Sequence, residues 1–226
     1  MSYKRFFFIL ILLKTPQVFS QVNYYEKGHK ALYWGISIGA NTSNFNVHRA
    51  PLTSANDSIT DVYSTSGPGF NLGLIGNWQF NKYFDLRIVP SMVFGEKNIV
   101  YKTENMEITR NINTTYITFP LLLRVKSEAI NDLRLFVIGG IKYDLNISPQ
   151  VRPKNDVDRI PLLKSGLSLE YGIGIQYFFP YFIFSPEIKF SHSIKNMLSP
   201  DQSLLNGSTL NGLFPRSFTI SLNFEG

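Results

Sequence analysis

The chain has 226 residues, a formal net charge of +6 and no cysteine. This length predicts one domain, and the lack of cysteine excludes a disulfide framework, a thiolate metal site and a lipid-modified N-terminal cysteine. The net charge includes Lys4, Arg5 and Lys14 near the N-terminus. The net positive charge of the chain without these three residues is too small to indicate nucleic-acid binding.

The N-terminal residues have the pattern of a secretory signal peptide. Two basic residues precede an apolar run over 6–13, and Val18 and Ser20 form a small-residue cleavage site. The run is too short for a transmembrane helix, which needs about 20 apolar residues. We therefore expect a signal peptide over 1–20, an N-terminal periplasmic segment over 21–31 and a β-barrel domain over 32–226.

Eight stretches alternate apolar and polar side chains, which is the period-two pattern of β-strands with one apolar face. The clearest is the hairpin 167–190, where Leu169, Tyr171 and Ile173 face one way and Glu170 faces the other. Pro90 weakens the third stretch, because proline removes a ladder donor. In chain order the predicted strands are 32–41, 69–80, 84–95, 115–126, 133–146, 167–179, 182–190 and 217–224.

The connections between these strands alternate strictly between short and long. The short ones are 81–83, 127–132 and 180–181, and the long polar ones are 42–68, 96–114, 147–165 and 193–216. In an up-and-down meander this alternation places four long loops at the extracellular end, with short periplasmic turns at the other.

Alternation alone does not separate a membrane barrel from a soluble eight-stranded barrel of the lipocalin kind. The distribution of charge favours the membrane, since one face carries nearly all of it: Arg87, Arg124, Arg134, Lys142, Glu170, Glu187 and Lys189. Large rings gather near the short turns: Trp78, Phe80, Tyr83, Phe84, Tyr177, Phe179, Tyr181 and Phe182. The chain also closes on Phe224. We predict an all-β, eight-stranded antiparallel transmembrane barrel in a Gram-negative outer membrane, in contact with its lipids, with a secreted soluble barrel as the alternative.

The interior of an eight-stranded barrel is just wide enough for its own side chains. Basic and acidic inward residues nearly balance, and unpaired charges there would be costly. We therefore expect mutual salt bridges that plug the barrel, and no conducting pore.

The search for catalytic and metal-binding residues yields one weak candidate. His192, flanked by Ser191 and Ser193, is similar to the His and Ser pair of outer-membrane lipid A deacylases. The spacing departs from their His-x-Ser-Asn pattern, and no acidic neighbour stands out. His29 and His48 are expected to be solvated.

No cofactor or metal pattern is visible either. The loop acids are dispersed and lack zinc or EF-hand spacing: Asp57, Asp61, Asp156 and Asp158. Gly172 and Gly174 lie within a strand, where they indicate close packing instead of a phosphate loop. We expect no enzyme, cofactor, metal or small-molecule substrate.

Several segments, taken in order, resemble one family over nearly the whole mature chain. They lie at 67–73, 83–90, 91–97, 115–123, 137–145, 169–176 and 180–191. The most specific are Phe-Pro-Leu-Leu-Leu at 119–123 and Phe-Ser-Pro-Glu-Ile-Lys at 184–189. Together they resemble PorT, called SprT in gliding species, a small outer-membrane barrel of the type IX secretion and gliding-motility system.

The resemblance implies a non-enzymatic role in the export of proteins with C-terminal sorting domains, and in gliding where that exists. It implies assembly or support of the translocon, contact with other type IX components, and no catalytic residues. Two alternatives remain: a generic small OmpA-like barrel with a structural or adhesive role, and a lipid A-modifying barrel that uses His192.

Overall fold

The computed structural model describes residues 31–49, 59–103, 107–148, 163–197 and 210–226, and every regular element in them is a β-strand. The predicted signal peptide, and the periplasmic segment except Ala31, lie outside these residues. No helix in the described ranges is long and apolar enough to cross a membrane. The strands are β1 (Leu32–Arg49), β2 (Ile59–Gln79), β3 (Phe84–Ile88), β4 (Ser91–Thr103), β5 (Glu107–Lys126), β6 (Leu133–Asn146), β7 (Ser165–Phe178), β8 (Ile183–Ser193) and β9 (Leu210–Glu225).

The strands close into an antiparallel ring. Apart from β3 and β4, consecutive strands pair with each other, and β1 also pairs with β9, so the sheet has no free side along the body of the ring. β3 and β4 fill one position, because both lie between β2 and β5. The ring therefore has eight positions, and the predicted eight-stranded up-and-down barrel is confirmed.

The third predicted strand is divided in two at Pro90. The proline has no N–H for the ladder, yet its carbonyl still accepts a hydrogen bond from the Leu74 N–H at 3.0 Å. The Val89 N–H donates to the Pro120 carbonyl at 3.4 Å. The wall thus stays closed across the interruption.

The three short turns are confirmed, but the strands run further than predicted at the opposite end. β1, β2, β4, β5 and β9 extend into the segments assigned to long loops. The prediction of a long loop over 96–114 is wrong: β4 and β5 stay paired up to Lys102 and Glu107, leaving 104–106 between them. The prediction of strands depended on the alternation of apolar and polar side chains, which lipid contact imposes. Strand extensions outside the lipid can form by backbone pairing alone, so their sequences need not alternate.

The predicted faces of the strands are confirmed by side-chain exposure. Trp34, Leu74 and Ile173 point outward and are 61–65% exposed. The inward face is mostly polar, and its apolar side chains include a small cluster of Leu122, Phe136 and Ile138. Apolar side chains thus lie outside and polar side chains inside, which is the reverse of a water-soluble globular protein and is expected for a barrel whose outer surface contacts lipid.

Candidate functional site

The half of the interior nearest the short turns contains two buried guanidinium groups on neighbouring strands. Arg87 of β3 donates from Nε to the Asn77 Oδ1 at 2.8 Å and from Nη1 to the Glu187 Oε2 at 2.8 Å. Its Nη2 forms an ion pair with Glu225. These four residues come from β2, β3, β8 and β9, so the arginine links strands from opposite sides of the ring.

Arg124 of β5 forms the second centre of the network. Its Nε donates to the Asp85 Oδ2 at 2.9 Å, and its Nη1 lies 3.3 Å from the Glu225 Oε2. Its Nη2 contacts the Tyr33 hydroxyl, which itself donates to Asp85 at 2.9 Å. Lys126 adds an ion pair to the other oxygen of Asp85 at 2.5 Å. Every charged side chain here is at most 1% exposed.

One aromatic ring lies within reach of both guanidinium groups. The Phe136 ring centroid lies 5.2 Å from the Arg124 Cζ and 5.7 Å from the Arg87 Cζ, within cation–π range. Gly174 makes room for the ring, since a Cβ there would lie 2.8 Å from the Phe136 Cε2. The prediction that this glycine serves close packing is confirmed.

These groups make up what we call the ion-pair network: Tyr33, Asn77, Asp85, Arg87, Arg124, Lys126, Glu187 and Glu225. Buried charges are tolerated only when they are paired and hydrogen-bonded, and here each has at least one partner. The predicted mutual pairing of inward charges is confirmed, and the network fills the lumen at this level.

The other half of the interior is more open. Lys189 links the two levels, since its Nζ lies 3.2 Å from Glu187 and 3.4 Å from Glu170. Lys142 lies at longer distances, 3.6 Å from Glu170 and 3.8 Å from Asp144. Around and above them is a cavity of about 80 Å³, here called the polar chamber, whose wall consists mostly of Ser, Thr, Asn and Gly.

His192 is not aligned with a serine hydroxyl. Its Nε2 lies 3.0 Å from the Tyr171 hydroxyl, and the two rings stack with centroids 5.7 Å apart. The Ser193 hydroxyl donates to the backbone carbonyls of Lys195 at 2.8 Å and Leu167 at 3.3 Å. Ser191 is buried on the inward face. The pair therefore lacks the hydrogen bond that activates a serine.

The other predicted candidates do not converge. His48 lies in β1 instead of a loop, with its Nε2 3.3 Å from the Asn46 Nδ2. Asp61 lies in β2, whereas His29, Asp57, Asp156 and Asp158 fall outside the described residues. Within the part of the chain that the structure describes, no three His, Cys, Asp or Glu side chains cluster as metal ligands would.

Sequence reasoning missed Glu225 and Lys97, although a signal for both was present. Glu225 lies one residue past the predicted end of the last strand, in phase with inward Ser221 and Asn223. Lys97 lies two residues past Gly95, the predicted end of the third stretch. Extending the alternation would have placed both side chains inside.

The aromatic residues near the short turns form contacts on the outer rim, as predicted. Trp78 and Phe80 lie 4.5 Å apart between ring centroids, and Phe179 lies 4.9 Å from Phe182. Phe224 lies 5.3 Å from Phe184 on the same surface. Aromatic belts of this kind are typical of the boundary between lipid and water.

A polar contact joins two of the short turns below that belt. The Lys82 Nζ lies 2.9 Å from the Glu128 Oε1, and the Tyr83 hydroxyl donates to the same oxygen. The Tyr83 hydrogen bond and the Lys82 charge lower the pKa of the Glu128 carboxyl. Asn131 permits the tight β5–β6 turn, because asparagine tolerates its positive φ of 55°.

A closed antiparallel ring with an apolar exterior, an aromatic rim and charges inside defines a transmembrane β-barrel of the outer-membrane class. Residues 19–199 match the family described as outer membrane protein beta-barrel domain, and the chain belongs to that family. This membership implies the outer membrane as its location, in agreement with the sequence prediction.

Solved structures of other proteins share the fold. The chain is similar to the outer membrane protein OprG from Pseudomonas aeruginosa, with a TM-score of 0.55, 13% identity, and coverage of 88% of this chain and 98% of that one. More distant are the outer membrane enzyme PagL (TM-score 0.42, 11% identity, 83% and 97% covered) and Ail of Yersinia pestis (0.36, 13%, 88% and 100%). At these identities the likeness concerns the fold alone. A comparison with curated proteins found no match.

Proposed function

We propose that the protein is a non-enzymatic barrel of the type IX secretion system, similar to PorT, that assembles or supports the translocon. Its role would be to permit the export of proteins with C-terminal sorting domains, and to support gliding in hosts that glide. Outer-membrane lipids and other type IX components are the expected partners.

The sealed interior is the observation that carries this proposal. Arg87 and Arg124 are fully buried and paired in the middle of the ring, so the lumen offers no route for a protein cargo. A role in secretion must then use the outer surface or the loops, which is the mode of a supporting or assembling component.

The segments that resemble PorT also supply much of this interior. Segment 83–90 contains Asp85 and Arg87, and segment 180–191 contains Glu187 and Lys189. Segment 169–176 contains Glu170, which pairs with Lys189. The resemblance therefore includes part of the charge set that closes the barrel, in addition to the apolar pattern common to all small barrels, whereas Arg124, Lys126 and Glu225 lie outside these segments.

Deletion of the gene in its native host tests the proposal. We expect cargo with a sorting domain to accumulate in the periplasm, and export to return on complementation with the wild-type gene. Normal export would contradict the secretion role and favour a generic structural or adhesive barrel.

A second arm of the same experiment tests the proposal that the protein is not an enzyme. The arrangement of His192 and Ser193 supports it, since the serine hydroxyl donates to backbone carbonyls. His192→Ala should restore export fully and leave the lipid A profile unchanged. A lipid A profile that changes on deletion and is restored by the wild type, but not by His192→Ala, would favour the enzyme instead.

A further inference from the structure

The polar chamber contains a buried cation that has no carboxylate within ion-pair distance among the described residues. Lys97 of β4 is 5% exposed and lines the chamber. Its ammonium lies 4.9 Å from the Phe45 ring centroid, 4.6 Å from the Tyr116 ring centroid and 3.4 Å from the Tyr116 hydroxyl. Among the described residues, no acid lies within ion-pair distance of it, whereas Lys142 and Lys189 each have two.

An unused hydrogen-bond donor lines the same chamber. The Asn41 Nδ2 is buried and has no acceptor among the described residues. An ideal Cβ on Gly95 would lie 3.5 Å from both the Asn41 Oδ1 and the Ser43 Oγ. The Oδ1 of Asn41 is the amide atom that faces Gly95, and the side chains of Asn41, Ser43 and Lys97 all line the chamber together with Gly95.

The charge on the chamber wall has one sign in excess. The inward cations among its lining residues are Lys97, Lys142 and Lys189, and its acids are Asp144 and Glu170; Arg216 is exposed and in register with the outward His192. A concave wall with surplus positive charge raises the local concentration of anions. The ion-pair network closes the chamber on the periplasmic side, so a solute must enter from the extracellular side.

We infer that the polar chamber binds a small oxyanion, with the Lys97 ammonium as the main contact and Asn41 as a neutral donor. Ammonium and amide N–H groups both donate to anionic oxygens, and such charge-assisted bonds are the stronger ones. A phosphate, a sulfate or a small carboxylate satisfies this pattern. The inference goes beyond the secretion role and modifies the sequence expectation of no small-molecule ligand.

Calorimetric titration of the folded full-length barrel in a nonionic maltoside detergent, at low salt, tests the site with inorganic phosphate and sulfate as probes. Lys97→Gln should weaken binding about tenfold or more, as loss of a charge-assisted contact requires. Lys97→Arg keeps the charge and should retain binding. Lys195→Gln is the matched control, because it removes the same charge from an exposed residue outside the chamber wall.

Asn41→Asp gives a second test that does not depend on removing Lys97. This nearly isosteric change adds a negative charge beside the open space at Gly95 and should abolish anion binding in a barrel that still shows heat-modifiable migration. Equal binding by the wild type, Lys97→Gln and Asn41→Asp would overturn the inference. Absence of binding by the folded wild type to either probe would overturn it as well.

Discussion

The two halves of the barrel interior are formed by the same strands with the same alternation of side chains, but their buried polar side chains are arranged differently. Near the short turns, long charged side chains such as Arg87 and Glu225 reach across the ring and pair. Toward the other end, inward positions such as Ser91, Thr118 and Ser168 are too short to meet. The first half is filled by the protein, and the second retains a chamber.

This difference shows that a period-two pattern fixes which face a side chain takes but not whether the space is filled. The sequence prediction of a plug applies to the network level only. Above it, the volume of the inward side chains decides how much space stays open, and Ser, Thr and Gly leave a cavity of about 80 Å³. Both halves are polar, so polarity alone would not have separated them.

The largest expected effect is that of Arg124→Met, which breaks the ion-pair network in the half of the interior near the short turns. This change leaves Asp85 and Glu225 without one of their cations, and breaking a buried ion pair costs about 3–5 kcal/mol. The free energy of unfolding in urea, followed by the fluorescence of Trp34 and Trp78, measures the loss.

Lys142→Met makes the matching change in the chamber half. Lys142 is partly exposed, its acids lie 3.6 and 3.8 Å away, and each acid keeps another partner. The expected cost is at most about 1 kcal/mol. Equal losses for Arg124→Met and Lys142→Met would contradict the proposed difference between the halves.

An intermediate loss of stability is expected from a substitution in the barrel wall that surrounds the interior. A Cβ on Gly140 would collide with the Leu121 carbonyl oxygen and lie 2.9 Å from the Leu122 Cα, so Gly140→Ala should cost about 1–3 kcal/mol. Gly139→Ala is the control on the adjacent residue, where nothing lies within 4 Å of the added Cβ. If the two variants unfold at the same urea concentration, the wall is looser than the structure indicates.

The smallest effect is expected outside the membrane, at the turn contact of Glu128. Its pKa is lowered by Tyr83 and Lys82, so the contact stabilises the fold above the unfolded pKa and is lost as the pH falls through the lowered value. Because the side chains are exposed, salt screens the contact, and Glu128→Gln should leave the urea midpoint at neutral pH unchanged. A clear midpoint shift would show that the turns are coupled to the network.

Most of the fold could be predicted from the sequence, because lipid imposes a strict alternation on the spanning segments. The faces of Leu169 and Glu170 and the turn at 180–181 followed directly. The aromatic rim also followed, since rings such as Trp78 and Tyr177 cluster in the sequence beside the turns.

The rest depended on relations that local patterns do not encode. The partners of Arg124 come from β1, β3 and β9, and which strands face each other across the lumen depends on how the ring tilts and closes. The extensions of β4 and β5 are held by backbone pairing among residues of mixed polarity, where the adjacent Ile99 and Val100 break the alternation. Lys97 was missed because the predicted strand ended at Gly95.

Arg124 contacts both strands of the seam at which the ring closes, Tyr33 on β1 and Glu225 on β9. The backbone adds to the same junction, where the Gly226 N–H donates to the Trp34 carbonyl at 2.8 Å. Parting the first strand from the last would separate Arg124 from Tyr33 or from Glu225 and so break the buried contacts that span the seam. The seam is therefore held by side-chain contacts across the lumen as well as by the backbone ladder, and both oppose lateral opening of the barrel at this junction.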